Sequence, residues 1–127
     1  MKKKVKEWIE RGAHDLEAAR LLLDHQAHAD TVLFHIHQAV EKYLEGFLIH
    51  HGWGLEKIHD LETLITKAID FDDAFARYLD VGRKLTAFYY MERYPPGPVP
   101  TYASDKTRQM LQAASELVEK IEDKLQV

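Results

Sequence analysis

The run Asp30-Thr31-Val32-Leu33-Phe34-His35-Ile36-His37-Gln38-Ala39-Val40-Glu41-Lys42-Tyr43-Leu44-Glu45-Gly46-Phe47 decides the fold class. Val32, Ile36, Ala39, Val40, Tyr43, Leu44 and Phe47 return at three- and four-residue steps, the spacing that gathers side chains on one face of an α-helix. Asp30 is placed to cap the first turn, where a short side-chain oxygen can accept from an orphan amide. Gly52-Trp53-Gly54 ends the helix, since glycine takes the left-handed or tight conformations a helix end requires.

The same periodicity extends outward. Upstream, Val5, Trp8, Ile9, Leu16, Ala19, Leu22 and Leu23 share one face of a helix running from Lys4 to His25, closed by the polar stretch Gln26–Ala29. Downstream, a shorter helix is predicted from His59 to Ile69, with Leu61, Leu64, Ile65 and Ala68 facing inward. Phe71-Asp72-Asp73 turns the chain into a fourth helix carrying Phe75, Tyr78, Leu79, Leu85 and Tyr89. All four prolines crowd into Pro95–Pro100, which reads as an extended loop. Ser104 and Asp105 restart the chain, and Thr107, Leu111, Ala114, Val118, Ile121 and Leu125 form a seven-residue repeat to the end. No stretch alternates with period two long enough to make a strand. The expectation is an all-α fold, one domain over residues 1–127 built as an up-and-down bundle of four to five helices.

Composition agrees with a small domain that needs no staple. The chain has 127 residues, 46% of them hydrophobic, and a chain of this size buries about two thirds of its unfolded surface. It has no cysteine, which excludes disulfides, thiolate metal sites and cysteine nucleophiles. Seventeen basic against 21 acidic side chains give a net charge of −4, which argues against a basic nucleic-acid coat but leaves room for a local basic site. Apolar runs such as Val32–Phe34 and Phe47–Ile49 fall far short of the ~20 residues of a membrane span. Met1-Lys2-Lys3-Lys4 resembles the start of a signal peptide, but Lys6, Glu7 and Glu10 interrupt what should follow as an apolar segment. A soluble, cytoplasmic domain without a membrane partner is expected.

Eight histidines lie between His14 and His59. Imidazole is a common metal ligand, yet two ligands on one helix face need a separation of three or four. His35 and His37 are two apart, His50 and His51 are adjacent, and His25 and His28 straddle a helix end. No metal site is expected, and Asp70, Asp72 and Asp73 lack the spacing of a calcium loop. Phosphate-loop, dinucleotide and nucleophile-elbow glycine motifs are missing, so no cofactor is expected either. Gly46 and Gly82 fall inside predicted helices, where close helix approach explains a residue that costs about 1 kcal/mol relative to alanine.

Two segments rise above the amphipathic background. His35, Gln38 and Lys42, at i, i+3 and i+7, line one helix face beside the apolar stripe. They suit a polar shoulder hydrogen-bonded within the bundle, or one wall of an anion-binding groove. The stretch Arg83 to Pro95 places Arg83, Lys84, Arg93, Tyr89, Tyr90 and Tyr94 where a helix gives way to the proline loop. Arginine offers a planar fork for phosphate, and tyrosine offers a stacking face and a hydroxyl. In a purely structural reading Tyr89 packs in the core, Arg83 pairs with a carboxylate, and Arg93-Tyr94 anchors the loop.

Four motifs in order carry a resemblance to the HEPN family. They are Trp8 to Asp15-Leu16-x-x-Ala19, Phe34-His35-x-x-Gln38-Ala39-x-Glu41-Lys42-x-Leu44, His59-Asp60-Leu61, and Tyr89-Tyr90-x-x-Arg93-Tyr94-Pro95. The resemblance implies a helical bundle that usually dimerises and is often encoded beside a small nucleotidyltransferase as a toxin–antitoxin-like pair. Many members are metal-independent ribonucleases with an R-x4-6-H motif, often extended as R-x4-H-x-Y, in which arginine stabilises phosphate charge and histidine handles protons. That pattern aligns here as Arg83, four residues, and Phe88 where the histidine belongs. Phenylalanine cannot exchange a proton, and a tyrosine with a pKa near 10 is a poor base at neutral pH. The Tyr-Tyr-x-x-Arg-Tyr-Pro ending resembles the branch without the nuclease motif, for which nucleotide binding or partnership with a nucleotidyltransferase is the usual proposal. The leading expectation is a non-catalytic homodimeric module binding nucleotide or RNA phosphate through Arg83, Arg93, Tyr90 and Tyr94. His35, Gln38 and Lys42 would form its second wall. The alternatives are a ribonuclease rearranged around Arg83, Tyr90 and His35, and a structural interaction module.

Overall fold

A computed structural model describes residues 1–54, 56–93 and 102–127, the side chains of Glu92 and Arg93 excepted. Five α-helices follow one another: α1 (Lys3–Asp24), α2 (Ala29–His50), α3 (Leu61–Ile69), α4 (Leu79–Arg93) and α5 (Ser104–Leu125). A 3-10 segment, Asp73–Tyr78, leads into α4. No strand occurs among the described residues, and no helix there is long and apolar enough to cross a membrane.

α2 is the central helix, packed against α1, α3, α4 and α5. It buries thirteen of its 22 residues, including Leu33 and Leu48 outside the single stripe read from the sequence. A helix enclosed on several sides needs apolar groups around most of its circumference, and one-face periodicity understates that. Phe47 sits at the middle of the core with its ring 5.1 Å from that of Phe75, and Leu44, Leu61, Leu64, Leu85 and Ile121 are fully enclosed around α2. Each such side chain contributes about 1.5–3 kcal/mol of burial free energy. α1 buries Val5, Ile9, Leu16, Ala19 and Leu23, while Trp8 and Leu22 stay half-buried at the margins of its stripe. On α5 the repeat includes Met110 and Leu117, with Leu111 at the margin.

The helix ends differ from the sequence expectation in informative ways. Asp30 does not cap α2. The helix starts at Ala29, and Asp30 lies in its first turn, where the carboxylate faces the positive end of the peptide dipoles. α3 starts at Leu61 rather than His59, because Asp60 takes the cap and accepts from the Glu62 amide at 3.1 Å. Asp72 likewise caps the 3-10 segment through Ala74 N–H at 2.9 Å, and Lys120 and Lys124 of α5 both pair with its carboxylate. Gly52 ends α2 at φ +90. Its amide bonds the Ile49 carbonyl while that of Trp53 bonds Leu48, the two-bond close that a left-handed residue permits. The same pair of bonds closes α1 through Gln26 and Ala27, with Gln26 at φ 58 where glycine would be unstrained. The proline loop, Pro95–Pro100, lies outside the described residues.

Glycines set how closely the helices approach. A Cβ on Gly46 would lie 3.0 Å from Ile9 Cδ1, and one on Gly82 2.7 Å from Ile65 Cδ1. Gly12 faces the Tyr43 ring, 2.7 Å from where its own Cβ would be.

Two substitutions should therefore act in opposite directions. Gly12→Ala gains about 1 kcal/mol of helix propensity but presses a methyl into an enclosed ring, an overpacking cost of about 1–3 kcal/mol. Net destabilisation is expected. Gln26→Gly relieves a left-handed residue and should stabilise by about 0.5–1 kcal/mol. Urea denaturation of the two variants beside the parent checks both signs.

Candidate functional site

α2 carries polar groups on two flanks, and each is answered by a different neighbour. Toward α1, Asp15 meets two of the predicted residues of the second wall, Lys42 and His35. Lys42 Nζ donates to Oδ2, and His35 Nδ1 lies 3.1 Å from Oδ1. Asp15 is mostly covered, with 16% of its side chain exposed, so this junction binds the helices and leaves Lys42 in a fixed position.

On the other flank, His37, Glu41 and Glu45 follow at four-residue steps, all buried. His37 donates Nε2–H to the His59 carbonyl at 2.8 Å, and the Gln38 carboxamide lies 3.3 Å from Nδ1. His59, on the chain before α3, also donates Nδ1–H to Glu41 Oε1 at 2.7 Å. Tyr89 of α4 covers the pair. Its ring stacks on His37 at 4.2 Å and lies parallel to Phe34 at 5.9 Å. Burial pushes His37 down to about 4, against the pull of the His59 bond, so the ring is neutral at physiological pH.

Arg83 of α4 is exposed and forks onto Glu62 of α3, with Nε 2.8 Å from Oε2 and Nη2 3.3 Å from Oε1. An ion pair this open to solvent is weak and can yield to an incoming anion. Phe88 is half-buried, its ring edge-on to Tyr102 at 4.8 Å. Tyr90 is 44% exposed next to Tyr89. The side chain of Arg93 and all of Tyr94 lie outside the described residues.

Within one chain, then, the two predicted walls have different anchors. Arg83 is held on α3, whereas His35 and Lys42 are held on α1 and Gln38 turns to His37. The structure does not bring Arg83 against His35, Gln38 or Lys42 through any contact among the described residues. Sequence reasoning anticipated the burial of Tyr89 but missed the enclosure of His37 and Glu41 and the two bonds that tie them to His59. Its signals were present, since Glu41 and His59 both fall within the quoted motifs. Among the described residues no group of three or more histidines and carboxylates is placed to hold a metal ion.

Glu45 is the exception in this polar flank, because its buried Oε2 has no hydrogen-bond partner. Burial first, and the negative charge of Glu41 second, push its carboxyl up to about 7. The native state therefore holds this proton more tightly than the unfolded chain, and stability falls as pH rises from about 4.5 to 7. His37 acts in the opposite sense, since the unfolded ring protonates below about 6.5 while the native ring resists to about 4. Glu45→Gln should raise stability at pH 8 by about 1–3 kcal/mol, with the gap to the parent closing at pH 4. Urea titrations across that pH range check the prediction.

Comparison with known proteins places this arrangement. TT1696 from Thermus thermophilus superposes with a TM-score of 0.81 at 22% identity, covering 97% of this chain and 99% of that one. ST0689, described as an archaeal HEPN homologue, superposes with a TM-score of 0.75 at 22% identity, covering 98% of each chain. These likenesses establish a shared fold. No curated protein sequence matches the chain. The HEPN domain matches residues 5–124, a span that takes in all five helices almost to the end of α5, and the chain belongs to the HEPN domain family.

Proposed function

We propose that the chain is a non-catalytic HEPN module that binds nucleotide or RNA phosphate as a homodimer and pairs with a small nucleotidyltransferase in a toxin–antitoxin-like system. The observation that carries the reading is Phe88. At the position of the family's nuclease histidine stands a ring packed edge-on to Tyr102, with no atom able to take or give a proton. Arg83, Tyr90, Arg93 and Tyr94 form the phosphate-binding wall in this reading. The solvent-exposed Arg83–Glu62 pair supports it, because a guanidinium held in a planar fork by one carboxylate presents the same fork to a phosphate once that carboxylate swings away.

His35, Gln38 and Lys42 belong to the second wall. The homodimer supplies what a single chain does not, since a second copy can bring the α2 flank of one protomer toward α4 of the other. Tyr90 and Met91, 44% and 57% exposed near the end of α4, are the apolar surface such a contact would cover.

RNA incubated with the purified protein and a chelator should stay intact, and Arg83→Ala should weaken binding of a fluorescent oligoribonucleotide several-fold with little change in melting temperature. Cleavage by the parent that vanishes in Arg83→Ala would overturn the reading in favour of a metal-independent ribonuclease built around Arg83, Tyr90 and His35. In Phe88→His, a gain of cleavage is expected if the remaining geometry is that of a site which has lost its proton-transfer group.

A further inference from the structure

One pocket is lined by none of the residues assigned to phosphate above. It lies where the turn between α1 and α2 meets the start of α5, and it encloses about 660 Å³. That volume lies within the ~300–1,000 Å³ common for small-molecule sites. Its apolar lining is Leu23, Ala27, Ala29 and Tyr102. Leu23 belongs to the core and the other three pack against it. Tyr102 is also held from α4, where Phe88 meets its ring edge-on at 4.8 Å. The apolar wall is therefore preformed.

Gln26, Asp105 and Arg108 bring polar groups to the same pocket. Asp105 and Arg108 are three apart on α5, the spacing of neighbours on one helix face. The side chains of Asp105 and Gln26 have no hydrogen-bond or ion-pair partner among the described residues. Arg108 meets only Asp24, at 4.0 Å, with both side chains more than half exposed. Water weakens such a pair, so a ligand carboxylate can replace it. Gln26 sits at φ 58, where glycine would be unstrained. Glycine, however, would bring no carboxamide to the pocket.

The charges select the ligand. A phosphate dianion drawn to Arg108 would also face Asp105 and Asp24, and a simple amine drawn to Asp105 would face Arg108. A small zwitterion answers both groups at once. We infer that this pocket is a binding site for a free amino acid with an aromatic side chain. Arg108 takes the α-carboxylate through its planar fork. Asp105 accepts from the α-ammonium, as does the carbonyl of the Gln26 carboxamide. The ligand's ring lies against Leu23, Ala27 and Ala29 and packs on the Tyr102 ring.

The test titrates L-phenylalanine into the isotopically labelled protein and follows the backbone amides of Ala27, Ala29 and Arg108 by nuclear magnetic resonance. Saturable shifts are expected. Three analogues should each bind at least tenfold more weakly: 3-phenylpropanoate, which has no ammonium; phenethylamine, which has no carboxylate; and L-alanine, which has no ring. Arg108→Ala should lower the affinity tenfold or more with an unchanged circular dichroism spectrum, because Arg108 is exposed. Gln26→Gly, expected above to stabilise the fold, should still weaken binding several-fold, a loss that unfolding cannot explain. Absence of saturable shifts at millimolar L-phenylalanine would overturn the inference. So would any of the three analogues binding as tightly as L-phenylalanine, or affinity unaltered by Arg108→Ala or by Gln26→Gly.

Discussion

A helix enclosed by its neighbours takes its polar groups out of water, and most of them must find a partner inside the protein. α2 is such a helix, and His37, Glu41 and Glu45 lie on its covered surface. An unpaired polar group in that position loses its hydration without recompense. The main consequence is the recruitment of His59, whose backbone accepts from His37 and whose ring donates to Glu41. Two bonds from one residue fix the segment before α3, and with it the place where α3 begins. Tyr89 then closes the arrangement by lying flat on His37, which fixes the far part of α4 against α2. The position of half the bundle follows from satisfying a few polar atoms on one helix.

The same helix divides the polar surface. Lys42 and His35 on its α1 flank are tied to Asp15, and the guanidinium of Arg83 on α4 is tied to Glu62 of α3. The two pairings differ in strength. The Asp15 junction is largely shielded from water, so its attraction is little screened and it holds geometry. The Arg83 fork stands in solvent, where the surrounding water competes with it, and it is the one free to exchange its carboxylate for another anion. Phe88 of α4 and Tyr102 form a separate, apolar edge-to-face contact.

Much of the fold was legible in the sequence because helical periodicity is a property of residue type and spacing alone. The stripes on α1, α2 and α3 and the end of α2 at Gly52 needed nothing else. Two helix starts differ from that reading for a local reason. Asp60 competes for the cap that His59 does not need, and Asp30 gains as much inside the first turn as before it. The 3-10 segment before α4 was not visible, since the three-residue step from Phe75 to Tyr78 fits an α-helix as well as a 3-10 helix. Site residues were recognised as types but not as partners. That His35 and Lys42 share one carboxylate, and that Arg83 faces α3, depend on how helices far apart in sequence pack, which no spacing within one helix encodes.

Gly12 and Gly46 have a consequence for the order in which the molecule opens. Both lie where α1 runs antiparallel to α2, and each lets backbone and side chain meet without an intervening methyl. The two helices are joined by only four residues and are clasped again at Asp15. A hairpin with so short a closure and so close a seam is the natural last unit to separate, while α3 and the 3-10 segment, short and capped by single aspartates, come apart first. Amide hydrogen exchange would then be slowest near Ala39 and Tyr43 at the middle of that seam, and the molecule would breathe from its α3 side while the α1–α2 hairpin stays closed.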